Sequence, residues 1–156
     1  MKQFFVYALI ASVVMISCKE QPCEPASMRI AFVSYTDTEI DTVIVRKFAK
    51  AANFASPIDT FLLSRMNSSY YRTTDTVEVG NSYGQDNGLL SKYDYQIFLP
   101  RLNKLITLSD ITEEIHHLSA RLSWEKVACI NPITYYKLNG KLKSGTNFYD
   151  IFYLGR

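Results

Sequence analysis

Turn signals interrupt this sequence at short intervals, and that interruption constrains the fold more than any other feature. Thr36-Asp37-Thr38-Glu39, Pro57, the Gly80–Gly88 stretch with Asn81-Ser82 and Asp86-Asn87-Gly88, Pro100–Asn103 and Asn139-Gly140 leave room only for short elements between them. The sharpest local pattern is Ile133–Leu138, then Asn139-Gly140, then Lys141–Lys143. Asn-Gly between two such runs is the type I′ hairpin turn, because both central residues tolerate positive φ.

The runs between the turns read as strands. Met28 to Tyr35 is apolar on both faces, which predicts a central strand, and Ile40 to Phe48 is rich in β-branched residues and reads as its hairpin partner. Ala49 to Ser56 has room for one helical turn before Pro57. Ile58 to Leu63 and Thr76 to Val79 are strand candidates, with Ser64 to Thr74 read as a loop. Tyr93, Tyr95, Ile97 and Leu99 alternate with Asp94, Gln96 and Phe98, and Lys104 to Leu108 runs back after the turn at Pro100. Ser109 to Trp124 carries two patterns. Asp110 and Glu113 suit a capping box with a helical turn over 110–116, while Leu118, Ala120, Leu122 and Trp124 alternate as a strand. Phe148 to Leu154 makes a last strand. About eight short strands and no long helix predict an all-β fold. An antiparallel, immunoglobulin-like β-sandwich with at most one short helix is preferred over a lipocalin-like barrel, whose turns would be more evenly spaced.

The start of the chain has a different character. Met1-Lys2-Gln3 is a short basic opening, Phe4 to Ile16 is uncharged and proline-free, and Met15-Ile16-Ser17-Cys18 precedes the polar Lys19-Glu20-Gln21-Pro22. A helix through the apolar core would reach only about 20 Å, against a bilayer interior of ~30 Å, so a secretory signal fits better than a membrane span. Met15-Ile16-Ser17-Cys18 resembles the lipobox of bacterial lipoproteins. The resemblance implies that the Cys18 thiol takes a diacylglycerol, that residues 1–17 are removed as a signal peptide, and that the new amine is acylated, with palmitate a usual chain. Residues 18–27 then form the lipidated cysteine and a polar tether, and residues 28–156 the sandwich domain.

With 17 basic and 15 acidic side chains and no basic run, nothing points to nucleic acid. If Cys18 carries lipid, Cys23 and Cys129 remain as a candidate disulfide in an oxidising compartment. The competing reading leaves Cys129 as a small buried residue in Val127-Ala128-Cys129-Ile130 and Cys23 as a free thiol.

Few residues promise chemistry. His116-His117, behind Glu113-Glu114, lacks the further converging ligands that a metal site needs, so no metal or cofactor is expected. Phosphate-binding glycine loops, a nucleophile elbow and a zinc-protease motif are all missing from the sequence, and no catalytic residue is assigned. Tyr70, Tyr71, Tyr83 and Tyr93 are candidates for a ligand platform, against the commoner reading of half-buried packing tyrosines.

Lipobox, polar tether and all-β domain, together with Tyr95-Gln96-Ile97-Phe98-Leu99-Pro100, Cys129-Ile130-Asn131-Pro132-Ile133 and Leu138-Asn139-Gly140, resemble the small outer-membrane lipoproteins of the Bacteroidota. That resemblance implies a lipid-anchored outer-membrane protein facing the periplasm or the cell surface. Lys19-Glu20 partly matches the lysine-then-acids signal for surface display in that group. The expected role is an interaction or accessory module with an envelope protein partner. A small-ligand or glycan binder with an aromatic-lined site is the alternative, and an enzyme the least expected.

Overall fold

The computed structural model describes residues 23–64, 69–80, 89–117, 129–145 and 151–156. Its strands are β1 (Ser27–Val33), β2 (Thr42–Ala49), β3 (Asp59–Ser64), β4 (Ser69–Arg72), β5 (Thr76–Gly80), β6 (Leu89–Leu90), β7 (Tyr93–Leu99), β8 (Lys104–Glu113), β9 (His116–His117), β10 (Cys129–Ile130), β11 (Ile133–Leu138), β12 (Lys141–Ser144) and β13 (Ile151–Gly155). One 3-10 turn, Pro100–Leu102, joins β7 to β8. Two compact units emerge. The larger comprises Pro25–His116 with Ile130–Arg156; the described residues of the other are Cys23, Glu24, His117 and Cys129.

The larger unit is a β-sandwich, as expected, built from two separate sheets rather than one closed barrel. One sheet runs β13-β1-β5-β4, with β6 also pairing β1, and the other runs β12-β11-β8-β7-β2-β3. β1 is central as the sequence predicts, lying between β13 and β5, with Ile30, Ala31 and Phe32 fully buried. Ile30, Phe32, Val77, Phe152 and Leu154 share one core with Val43, Val45, Tyr95, Ile97, Leu99, Ile106 and Leu108. The period-2 alternation of β7 therefore decides which of its side chains the core receives. The Tyr95 hydroxyl enters this core with its partners supplied: it donates to the Leu90 carbonyl at 3.0 Å and accepts from the Leu90 amide at 2.6 Å.

Several expectations need correction. β1 and β13 pair in parallel, Arg29 opposite Ile151 through Val33 opposite Gly155, so the sandwich is not wholly antiparallel. β2 is not the hairpin partner of β1. Both edges of β1 are occupied, and Thr36–Glu39 instead turns the chain into the other sheet, where β2 pairs with β3 and β7. That turn is fixed by the Glu39 carboxylate, which accepts from the Thr36 amide at 2.8 Å.

Residues 49–56 form no helical turn, because Ala51, Asn53 and Phe54 all take positive φ. Ser64 to Thr74 is not simply a loop, since β4 lies within it and pairs with β5. The helical turn over 110–116 is absent as well: β8 runs straight through to Glu113. Its irregularity is a bulge, with Asp110 at φ 52 and the register against β11 shifting between Tyr135 and Lys137. Inward Leu108 and Ile111 lie three residues apart across that bulge, a spacing that mimics helical periodicity in the sequence.

The β11–β12 hairpin has the turn its sequence demands, with Asn139 at φ 49 and Gly140 at φ 75. The Gly80–Gly88 loop lies outside the described residues apart from Gly80, and the 118–124 strand lies wholly outside them.

Candidate functional site

The cysteines meet as one of the two sequence readings proposed. Cys23 and Cys129 form a disulfide with Cα atoms 5.7 Å apart, inside the ~7 Å that such a bond can span. The tyrosines do not share one sheet face. Tyr70 and Tyr71 lie on β4, at the edge of one sheet, whereas Tyr93 opens β7 in the other; Tyr83 falls outside the described residues. The half-buried Tyr93 ring has the Lys47 ammonium 5.1 Å and the Lys92 ammonium 5.4 Å from its centroid. Such cation–π contacts occupy a ring that a ligand platform would need open. His116 Nε2 sits 3.6 Å from Glu114 Oε1, and among the described residues no group of three or more acidic, histidine or cysteine side chains is placed to hold a metal.

Two carboxylates organise buried polar contacts in the larger unit, Asp94 in the outward phase of β7 beneath the β2–β3 loop and Glu113 at the end of β8. Asp94, on β7, is 4% exposed. It accepts from the Ala51 amide at 3.2 Å and the Asp110 amide at 3.1 Å, so one side chain holds both the β2–β3 loop and the β8 bulge. Both residues that it grips are left-handed, a conformation costing ~1–2 kcal/mol in a non-glycine residue. Burial raises the Asp94 carboxyl above its ordinary value, opposed by those two amide bonds. Phe54 completes the loop's attachment by packing edge-on against Phe48 at 5.2 Å. Glu113 is the second carboxylate, accepting from the Ala26 amide at 2.8 Å and the buried Ser91 hydroxyl at 2.7 Å.

The outer face of the six-stranded sheet offers another kind of feature. Leu62, Ile44, Phe98 and Leu105 are opposite one another in register across β3, β2, β7 and β8. They occupy the strand phase that points away from buried Val43, Val45, Ile97 and Ile106. Leu62 is 52% exposed and Leu105 48%, while Ile44 and Phe98 are half-buried. The next row on this face, Thr60, Arg46, Gln96 and Thr107, is polar. A contiguous apolar row with a polar border is the pattern of a contact surface rather than of scattered surface residues.

Sequence reasoning missed this row, although a signal for it exists. Phe98 falls in the same phase as Asp94 and Gln96, and an apolar residue in the polar phase of a half-buried strand marks exposure. Finding the row also requires the strand order, which places the four residues side by side.

The class that fold and surface define is a β-sandwich with an exposed apolar row on one sheet, in a chain that also carries a disulfide in its smaller unit. Beyond that class, no protein-family model, no curated protein and no solved structure matches the chain.

Proposed function

We propose that this chain is a membrane-anchored lipoprotein whose sandwich serves as an interaction or accessory module of the cell envelope. Cys18 carries the lipid, the outer membrane is its place, and the domain faces the periplasm or the cell surface. The observation that carries the interaction reading is the in-register row Leu62, Ile44, Phe98 and Leu105 on the six-stranded sheet. The anchoring reading is supported by Met15-Ile16-Ser17-Cys18 and by the short path that follows. Cys18 is separated from Pro25 by seven residue steps, at most about 25 Å of extended chain, so a lipid at Cys18 would hold the domain near the bilayer surface. Two or more acyl chains anchor stably, each contributing ~0.8 kcal/mol per buried methylene.

Two measurements test the reading. Cys18→Ser should leave the protein unprocessed or release it from membranes, and persistence in the membrane fraction after a high-salt wash would remove lipid as the anchor. A photo-crosslinking amino acid in place of Leu105 should yield discrete protein adducts in native membranes. The same group in place of Tyr153, half exposed on the other sheet, should not. Equal labelling from both positions, or none from Leu105, counts against the interaction module.

A further inference from the structure

We propose that β12 is a docking edge, which takes up an extended segment of a partner protein bearing carboxylates at alternate positions. The inference rests on the interaction reading above and names the partner's chemistry. β12 ends its sheet: it pairs with β11, and among the described residues no strand pairs with its other side. All four of its side chains are exposed, Leu142 at 66%.

The turn fixes which backbone groups that side presents. In a two-residue hairpin the residues flanking the turn, Leu138 and Lys141, face each other in a hydrogen-bonded pair, and bonded pairs then recur at every second position. The Gly145 amide bonded to the Thr134 carbonyl at 2.7 Å keeps this phase. Lys141 and Lys143 therefore direct their backbone groups to β11, and Leu142 and Ser144 direct theirs outward. The free edge holds two N–H donors and two carbonyl acceptors, the complement that an added strand uses.

The side chains select what can pair there. Lys141 and Lys143 fall in one phase and Leu142 in the other, beside half-exposed Tyr135 and Lys137 on β11. Lys137 is already committed to Asp110 at 2.8 Å, whereas among the described residues no carboxylate pairs with Lys141 or Lys143. Lysines on an edge strand ordinarily serve to block pairing between copies. Here they would do so, because an antiparallel second β12 would set lysine against lysine. The same two ammonium groups favour a strand with Glu or Asp at positions i and i+2, since opposite charges directly across a ladder stabilise it and like charges oppose it. An apolar residue between those acids would lie against Leu142 and Tyr135.

The test uses the full chain in detergent micelles and two synthetic nonapeptides, one alternating glutamate with valine, the other alternating lysine with valine. The glutamate peptide should bind and slow hydrogen exchange at the Leu142 and Ser144 amides, while the lysine peptide should not bind. The double variant Lys141→Glu/Lys143→Glu should lose about tenfold in affinity for the glutamate peptide and gain the lysine peptide, as two cross-strand charge pairs reverse sign. Leu142→Pro, which removes an N–H that β11 does not use, should lose binding while keeping the hairpin. Glutamate-peptide binding that is unchanged by the charge reversal, or protection at amides other than Leu142 and Ser144, overturns the proposal. Should the edge fail while crosslinks from position 105 persist, the interaction module stands without this edge. Should both fail, that reading falls with it.

Discussion

β1 and β12 show how differently two strands of one sandwich can be built. β1 is paired along both edges, and its Ile30, Ala31 and Phe32 are fully buried. Its one charged residue, Arg29, is matched by Glu78 at 3.1 Å on β5. Among the described residues β12 is paired on one side; it carries lysine at every second position and buries none of its own side chains. The difference teaches that strand composition reports position in a sheet. A strand enclosed on both sides has to be apolar in both phases, whereas an edge strand carries charge where unwanted pairing would otherwise begin.

The contrast can be broken most forcefully at Phe32. Phe32→Ala should cost about 3–5 kcal/mol, because the cavity opens where both sheets converge. The measurement is the urea midpoint, with the slope unchanged. A loss below about 1 kcal/mol would show that β1 is less enclosed than its burial implies.

Asp94 sharpens the comparison by asking what an enclosed position does with a charge. Asp94→Ala orphans the Ala51 and Asp110 amides and should cost about 2–3 kcal/mol. It should also speed hydrogen exchange across residues 50–57. Since burial raises its carboxyl, the folded chain holds this proton more tightly than the unfolded chain, whose aspartate titrates near 3.8. The stability linked to that proton is fully present below 3.8 and is lost as pH rises through the raised value. Asp94→Asn, which cannot titrate, should therefore fall furthest behind the parent at the acid end and close the gap as pH rises. A gap that widens with rising pH would show that the amide bonds outweigh burial.

Smaller effects belong to the edge. Gly140→Ala meets no neighbouring atom within 4 Å, so its cost is that of φ 75 alone, about 1 kcal/mol in a thermal melt. Leu142→Ala should change stability by no more than about 0.5 kcal/mol. If it matched Phe32→Ala, β12 would have to be covered, and the contrast with β1 would collapse.

Much of the sandwich was legible from local pattern. The Asn139-Gly140 hairpin, the buried phase of β7 and the centrality of β1 all follow from residues a few positions apart. What escaped depends on distant residues. Nothing near Thr36–Glu39 says that β1 already has two partners, so the turn reads as a hairpin. Nothing near Asp110 says that the amide of a left-handed residue will be held by Asp94, so the bulge reads as a helix start. The pairing of Cys23 with Cys129 emerged by elimination among three cysteines rather than from geometry. The surface row stayed hidden because its four members come from four strands, each contributing one apolar residue that is ordinary by itself.

The parallel ladder between β1 and β13 sets Arg29 opposite Ile151, almost the whole chain apart. That places a demand on timing. As the chain emerges from its N-terminal end, the strand destined for the middle of the smaller sheet appears before the other described strands, and its parallel neighbour follows them. Closing so long a stretch of chain has to precede any reward from the contact, which makes folding slow compared with that of locally paired proteins. Until β13 has been made, its ladder with β1 cannot form.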